Sequence, residues 1–373
     1  MRIGIDGLLL GAGYTGVEHS VEALAEALPL AAPQHDYALA CTRQYASATS
    51  LALPRRPAPA WVSGKGQRIA FEQCGLARLL SDCDLLHAPA YVMPLNWCKP
   101  SVLTVYDLIA LQYPQWCTRN NVLHYGLMLP RSLRAASAIV APSEVVAAAL
   151  SERFPKVGAK VRVIPLGVAA HFRPAAPEPV RQLREALSLP EQFILCVGNL
   201  EPKKNLVAII EAFDLIADEI PHHLVLQGKP AWGYVAVLCA LRAARHGDRI
   251  QLLETYLPGP QLASLYTAAD LLVQWSLYEG FGLPPLEAMA CGTPALVSDG
   301  GSLAEIAGPA AEVVPLDEPI GRAQQLALRL RDLLLDPGRL ATLRALGLAH
   351  AAHYTWPAHA RAVAALYEEL VNE

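Results

Sequence analysis

An alternation of short apolar runs, glycine loops and amphipathic segments constrains the fold of this chain most. Residues 2–6 (RIGID) predict a strand, and residues 11–16 (GAGYTG) form a glycine-rich loop. Apolar side chains then recur at helical spacing through residues 17–28. Strand, glycine loop and helix in this order predict the start of a doubly wound α/β domain.

The same alternation continues along the whole chain. Further strands are predicted at residues 84–87, 102–106, 138–141, 161–164, 193–197, 224–226, 250–253, 271–275 and 294–297. A Pro/Ala-rich stretch between residues 167 and 185 interrupts the pattern and is typical of a linker. We therefore expect two Rossmann-like α/β domains whose strand ends face each other across a ligand cleft.

The boundaries follow from the linker. An N-terminal domain is predicted at residues 1–170, and a C-terminal domain at residues 171–355. Residues 356–373 predict an amphipathic helix that packs on either domain, including a crossing back to the N-terminal one.

Composition excludes several classes of protein. Of the 373 residues, 53% are hydrophobic and 17% charged, which excludes a disordered chain. A net charge of -4 argues against a nucleic-acid partner, and no run of 18 apolar residues is present to span a membrane. The 8 cysteines form no CxxC pair or zinc spacing, which is typical of a reducing compartment. We expect a cytoplasmic protein.

Three segments carry candidate chemistry. The first is the loop at residues 11–16, whose glycines allow backbone N–H groups to approach a phosphate. Such a loop also fits a nicotinamide cofactor or a tight turn without a ligand. The ribose-binding acid of a dehydrogenase would fall near Asp36, which does not end a clear strand, so this alternative is disfavoured.

The second segment is residues 198–205 (GNLEPKKN), between a strand and a helix predicted from about Asn205. Lys204 would lie at the helix N-terminus, where a cation opposes the helix dipole. A bound diphosphate would resolve that conflict. The alternative is a pair of exposed lysines on a polar loop.

The third segment, residues 276–292 (SLYEGFGLPPLEAMACG), is the most informative. Glu279 lies in a loop and Glu287 on a short helix predicted at 284–291. Gly280 and Gly282 let the backbone approach a ligand, and the two acids can accept hydrogen bonds from hydroxyl-rich groups such as a sugar and a ribose. Alternatively, Glu287 is a solvated helix residue.

These two acids, with seven residues between them, resemble the EX7E motif of family-4 retaining glycosyltransferases of the GT-B fold. The resemblance is supported by residues 86–89, 105–109, 163–168, 197–205, 227–233 and 265–270. Within that family the chain is most similar to bacterial mannosyltransferases of surface-polysaccharide assembly. The resemblance implies acceptor binding by the N-terminal domain and nucleotide-sugar binding by the C-terminal domain.

The resemblance implies roles for individual residues. Glu279 would hold the donor sugar's hydroxyls, Glu287 the ribose, and Lys204 the diphosphate. Backbone N–H groups and the glycine loop would complete the donor site, at Phe281, Gly282, Leu283, Gly13 and Gly16.

Two positions depart from the family pattern. Asn199 stands where many members carry Arg, so one cation on the diphosphate is lost and Lys204 would carry more of the stabilisation. Tyr106 stands where many carry His, immediately before Asp107. Both Tyr106 and Asp107 are candidate active-site residues.

The implied activity is transfer of a hexose, by preference mannose from GDP-mannose, to a hydroxyl of a glycan or lipid-linked glycan. The family retains the anomeric configuration, and no carboxylate stands out as a nucleophile, so we expect front-face attack without a metal or other cofactor. Alternatives are a UDP- or dTDP-sugar donor, a non-hydrolysing epimerase, and a non-catalytic nucleotide-sugar-binding protein.

One further segment indicates a membrane surface. Residues 1–170 carry 15 Lys/Arg against 11 Asp/Glu, and three arginines flank the apolar residues 122–129: Arg119, Arg131 and Arg134. A basic, apolar surface can approach a lipid-linked acceptor at the inner face of the cytoplasmic membrane. A buried helix is the alternative.

Overall fold

The computed structural model describes residues 1–11, 16–49, 51–316 and 322–372. They divide into two compact units. Unit 1 comprises Met1–Gly167 with Thr355–Glu373, and unit 2 comprises Val168–Tyr354.

Unit 1 is built on a parallel sheet with the strand order β3-β2-β1-β4-β5-β6-β7. The strands are β1 Arg2–Asp6, β2 Asp36–Cys41, β3 Arg55–Pro57, β4 Leu85–Ala88, β5 Ser101–Thr104, β6 Ala138–Ala141 and β7 Val161–Val163. The helices are α1 Gly16–Ala31, α2 Arg43–Ala48, α3 Lys65–Cys74, α4 Leu76–Leu79, α5 Ile109–Gln112, α6 Arg119–Ala135 and α7 Glu144–Arg153, together with the C-terminal helix Trp356–Asn372. Every residue of β4, β5 and β6 is buried, as expected for parallel strands covered on both faces.

Unit 2 is built on a second parallel sheet, with the order β10-β9-β8-β11-β12-β13. Its strands are β8 Phe193–Val197, β9 His223–Gln227, β10 Ile250–Leu253, β11 Leu271–Gln274, β12 Ala295–Val297 and β13 Ala311–Val313. Its helices are α8 Pro177–Leu187, α9 Leu206–Ile216, α10 Val235–Ala243, α11 Gly259–Ala268, α12 Leu283–Ala290, α13 Leu303–Ala307, α14 Arg322–Leu334 and α15 Pro337–Ala351.

The core of unit 2 shows why helices cover both faces of its sheet. Successive side chains of β8 point to opposite faces. Ile194 and Cys196 pack into one apolar cluster, whereas Phe193 and Leu195 pack into another. Helices therefore cover both sides, and the predicted class of two Rossmann-like α/β domains is confirmed.

Several local predictions differ from the structure. The segment that we read as a linker contains α8, which begins at Pro177 and buries Leu183. Proline suits the first helical turn, a signal that the high Pro/Ala content obscured. The sequence pattern also did not identify β2, which begins rather than ends at Asp36, or the three-residue strands β3 and β13.

The C-terminal helix Trp356–Asn372, α16, packs on α1 in unit 1. Tyr367 is fully buried there and its hydroxyl lies 2.5 Å from Nδ1 of His87 on β4. His87 Nε2 lies 2.8 Å from Oγ1 of Thr104 on β5. One hydrogen-bonded chain thus joins α16 to two central strands.

Candidate active site

The strand order of unit 2 brings two of the predicted motifs together. From β8 the chain adds β9 and β10 on one side of the sheet, then returns to add β11 on the other side of β8. Ligands of such sheets bind at this reversal, at the carboxyl ends of the strands. Residues 198–205 follow β8 and residues 275–282 follow β11, so both motifs lie at this edge.

Glu279 lies at the centre of this edge and is 8% exposed. Lys204 Nζ donates to its Oε1 at 2.7 Å, and Gln274 Nε2 donates to the same oxygen at 3.1 Å. Lys203 Nζ lies 3.6 Å from the other carboxylate oxygen. The sequence predicted Glu279 and Lys204 as site residues but not their direct ion pair, nor the part played by Lys203 and Gln274.

The two ammonium groups determine the charge of Glu279. Burial alone would raise the pKa of this carboxyl group. The positive charges of Lys203 and Lys204, with the hydrogen bond from Lys204, outweigh burial and lower the pKa to about 2. Glu279 is therefore ionised at any physiological pH, and a second cation stands beside it in addition to Lys204.

Glycine is required where the next loop approaches Glu279. Gly301 has a φ of +67°, and a Cβ atom there would lie 2.2 Å from the carbonyl oxygen of Glu279. Ser302 then donates from its backbone N–H to that oxygen at 2.9 Å and from its hydroxyl to the Phe281 carbonyl at 3.0 Å. The loop after β12 thus supports the backbone of the acidic loop.

Glu287 lies on α12 and is half-buried. The hydroxyl of Tyr266, a fully buried residue of α11, donates to its Oε2 at 2.8 Å. Burial raises the pKa of Glu287 to about 7, although the Tyr266 hydrogen bond and the charge of Lys204 act in the opposite direction. The two acids of the motif therefore differ in charge near neutral pH, and Lys204 influences both.

The remaining predicted residues of unit 2 lie around these acids. Gly282 caps α12 in the left-handed region with a φ of +105°, and Leu283 is the first residue of the helix. Phe281 is buried, and its ring packs edge-to-face with that of Tyr354, with the ring centroids 6.0 Å apart. The Asn199 side chain is exposed.

A neighbouring amide was not singled out by the sequence. Asn205 ends the short helical turn Pro202–Lys204 with a φ of +55°. Its buried Nδ2 has no hydrogen-bond partner among the described residues. A donor beside Lys204 is therefore available to an acceptor atom that the chain itself does not supply.

In unit 1, Asp107 and Tyr106 follow β5. Tyr91, which follows β4 in the left-handed region with a φ of 67°, donates from its hydroxyl to Asp107 Oδ2 at 2.9 Å. The backbone N–H of Ile109 donates to Oδ1 at 3.0 Å. Tyr106 is 9% exposed and its ring centroid lies 5.8 Å from that of Tyr91, whereas Asp107 is half-buried.

The strand reversal of unit 1, between β1 and β4, carries further acids that the sequence analysis missed. Asp6 ends β1 and accepts from the Leu8 N–H at 3.0 Å. Glu72 on α3 repels it, and burial raises the pKa of both carboxyl groups. The positive charge of Arg68 partly offsets the increase in pKa of both carboxyl groups, and also the increase that burial causes in the pKa of Tyr125. The ring centroid of Tyr125 lies 5.2 Å from that of Tyr91. Acids and tyrosines from β1, α3, α6 and the loop after β4 therefore form one cluster, which no local sequence pattern signals.

The predicted glycine loop is described only in part. Gly16 is the exposed first residue of α1. The prediction for Gly13 lies outside the described residues.

Two features are absent from the described ranges. No group of three or more His, Cys, Asp or Glu side chains in this part of the chain is arranged to hold a metal ion. Among the helices of the same ranges, none combines the length and apolar character needed to cross a bilayer.

Comparison with protein families identifies the class to which this fold and site belong. Residues 14–172 match the model of Glycosyltransferase Family 4, and residues 181–347 match that of Glycosyl transferases group 1. Together the two matches span most of both units. The chain therefore belongs to the family-4 glycosyltransferases, as its motifs predicted.

Individual relatives agree with that class. The chain is 28% identical over 276 residues to O-antigen chain mannosyltransferase B of Escherichia coli, covering 73% of this chain and 71% of that protein. It is 33% identical over 283 residues to the serotype-specific mannosyltransferase WbdA of Escherichia coli, covering 74% of this chain but 34% of that protein. It is 34% identical over 246 residues to the D-inositol 3-phosphate glycosyltransferase of Thermobispora bispora, covering 64% of this chain and 57% of that protein.

Solved structures agree on the fold. The sucrose-phosphate synthase of Thermosynechococcus elongatus superposes with a TM-score of 0.78 at 21% identity, covering 99% of each chain. HepE of Anabaena, in complex with UDP and glucose, superposes with a TM-score of 0.78 at 18% identity, covering 99% of this chain and 100% of that chain. The predicted GT-B fold is thereby confirmed.

Proposed function

We propose that this glycosyltransferase moves a hexose, mannose from GDP-mannose, to a hydroxyl of a glycan or lipid-linked glycan in cell-surface polysaccharide synthesis, with retention at the anomeric carbon. The observation that carries the proposal is the pairing of Lys204 with Glu279 at the strand reversal of unit 2, with Glu287 within electrostatic range of the same lysine. A cation that pairs with one carboxyl group and acts electrostatically on a second suits a ligand that has both a diphosphate and hydroxyl groups.

The donor side follows from the charges. The ionised Glu279 accepts hydrogen bonds from the sugar hydroxyls, and Glu287 accepts them from the ribose. Lys204, supported by Lys203, neutralises the charge that develops on the departing diphosphate, which is the largest electrostatic requirement of the reaction. The backbone N–H groups of residues 281–283 and the exposed Asn199 add uncharged donors. The unpartnered amide of Asn205 is a further donor that the diphosphate can satisfy.

The same residues make a metal unnecessary in this proposal. Two ammonium groups and backbone donors stabilise a leaving phosphate without a divalent cation. The acceptor attacks the face from which the diphosphate leaves, and the departing phosphate oxygen takes the acceptor's proton. The new glycosidic bond forms as the anomeric carbon–phosphate oxygen bond breaks.

Unit 1 supplies the acceptor contacts in this proposal. Asp107, held by Tyr91 and the Ile109 N–H, presents a carboxylate to an acceptor hydroxyl. Tyr125 and the carboxyl groups of the buried Asp6 and the half-buried Glu72 add hydrogen-bonding groups that suit a polyol.

The donor identity rests on the named relatives. Two of them are O-antigen or serotype-specific mannosyltransferases. A relative that is a D-inositol 3-phosphate glycosyltransferase and a structural neighbour in complex with UDP and glucose support a UDP-sugar as the alternative donor. The proposal includes a cytoplasmic location and a peripheral contact with the inner face of the membrane.

A thermal-shift panel tests the donor site. The full chain is mixed in turn with GDP-mannose, UDP-glucose, UDP-N-acetylglucosamine, dTDP-rhamnose and NAD(H). A ligand at about 100 times its Kd stabilises the native state by about 2.7 kcal/mol. We expect a shift with GDP-mannose that Glu287→Ala abolishes and that Glu191→Ala, a change at an exposed acid of the same unit, preserves.

The other outcomes are decisive as well. A larger shift with a UDP- or dTDP-sugar would refute mannose while keeping the enzyme class. Binding of a nucleotide sugar without release of nucleotide in the presence of glycan acceptors would favour a non-catalytic binding protein. Release of free nucleotide with an altered sugar and no acceptor would indicate an epimerase. Stabilisation by NAD(H) alone would refute the site.

A further inference from the structure

Helix α6 carries a stripe of exposed apolar side chains. Leu123 is 72% exposed and Leu127 is 50% exposed, whereas Leu129 and Leu133 are buried on the other side of the helix. Residues four apart lie on the same helical face. The alternative of an entirely buried helix is therefore wrong: α6 packs by one face only and leaves two leucines in solvent.

Positive charges surround this stripe. The exposed Arg119 and Arg131 stand four residues before Leu123 and four residues after Leu127, and Arg134 is exposed one turn further on. Lys65 of α3 adds a cation beside the first turn of α6, where its Nζ donates to Asn121 Oδ1 at 2.8 Å. Residues 108–143 contain no Asp or Glu. The apolar centre therefore has a purely cationic rim on its own helix.

We propose that this face of α6, the stripe Leu123–Leu127 with Arg119, Arg131 and Arg134, docks unit 1 on an anionic lipid bilayer. The leucines insert at the boundary between headgroups and acyl chains, and the arginines pair with lipid phosphates. This inference rests on the proposed function only for its purpose, since a surface-bound enzyme meets a lipid-linked acceptor at the membrane. The binding itself requires neither donor nor acceptor.

The dimensions favour a lipid surface over a second copy of the chain. A stable protein interface buries about 800 Å² on each partner and is depleted of charge at its centre. Two leucines within an arginine rim form a smaller patch, and the like charges of two such rims would repel each other. Anionic lipids satisfy both the leucines and the arginines.

Vesicle flotation tests the proposal with the full chain and no nucleotide sugar. We compare vesicles of equal parts phosphatidylglycerol and phosphatidylcholine with vesicles of phosphatidylcholine alone, at low and at 0.5 M salt. We expect flotation on the anionic vesicles. Salt should weaken it, because dissolved ions screen the attraction between the arginines and the lipid phosphates. Leu123→Asp/Leu127→Asp should lower the bound fraction about tenfold or more.

A matched control separates this stripe from a general effect of added charge. Leu30→Asp/Leu335→Asp makes the same change at two exposed leucines, which are 84% and 58% exposed, and should float like the wild type. Circular dichroism checks that each variant is folded. Arg119→Gln/Arg134→Gln should remove the preference for anionic vesicles.

Three results would overturn the proposal. These are no flotation at low salt, equal loss in the control variant, or a concentration-dependent dimer in light scattering that only Leu123→Asp/Leu127→Asp dissociates. The last result would assign the stripe to a second copy of the chain. Because flotation is read without substrates, it can succeed where the proposed transferase reaction fails, and the reverse.

Discussion

The raised pKa of Glu287 gives a quantitative prediction about stability. Its pKa is about 7 in the folded chain against an ordinary value of 4.5, and burial is the main cause. Between these two values the folded state holds a proton that the unfolded state has released, so stability falls as pH rises. Glu287→Gln keeps the shape of the neutral carboxyl group and removes this dependence.

The magnitude follows from the pKa difference. One pKa unit corresponds to about 1.4 kcal/mol, so the penalty for ionising Glu287 grows by about 2 to 3 kcal/mol between pH 5 and pH 8. This is an upper limit, because Glu287 is only half-buried and water stabilises part of its charge. Relative to the wild type, Glu287→Gln should therefore gain stability across this range.

Urea unfolding at several pH values measures the difference, with the fluorescence of Trp275, which is fully buried in unit 2, contributing to the signal. Glu279→Gln is the control. The folded pKa of Glu279, about 2, is below its ordinary value, so its contribution is present above pH 4.5 and is lost only as pH falls towards 2. Its difference from the wild type should be constant from pH 5 to pH 8. A constant difference for Glu287→Gln as well would refute the reasoning.

Two further substitutions test the packing around the sites. Gly301→Ala should destabilise the chain by about 2 kcal/mol or more and abolish the donor-induced thermal shift, because a Cβ atom would displace the Glu279 carbonyl and a left-handed φ disfavours alanine. Gly66→Ala, at a helical glycine with open space, should instead stabilise slightly, and equal effects in thermal unfolding would contradict the argument. Tyr367→Phe should cost about 1 to 3 kcal/mol in urea unfolding, since it leaves buried His87 without one hydrogen-bond partner. An unchanged unfolding midpoint would show that the contact between α16 and β4 is dispensable.

The order of the elements could be predicted from the sequence because it depends on local patterns. Apolar runs bounded by glycine and proline indicated most of the strands of both units, and the pair Glu279 and Glu287 with its glycines indicated the family. The short strands β3 (RRP) and β13 (AEV) escaped because charged residues leave too few apolar positions in them to show a pattern. Helix α8 escaped because its prolines resemble those of a linker.

Charge states and exposure, by contrast, depend on residues far apart in the chain. Lys204 and Glu279 are 75 positions apart, and only the neighbouring strands β8 and β11 bring them to 2.7 Å. The same folding places Glu287 against Tyr266 and shifts the pKa values of the two glutamates in opposite directions from their ordinary value.

The surface of α6 also combines features that the sequence predicts with features that only the tertiary structure decides. The sequence placed arginines around an apolar segment, but a helix with leucines on every side can be buried or half-exposed with equal ease. The packing of Leu129 and Leu133 leaves Leu123 and Leu127 in solvent. A pattern along the chain determines which elements form, whereas desolvation, pairing and exposure depend on which elements meet, and that is decided only by the tertiary structure.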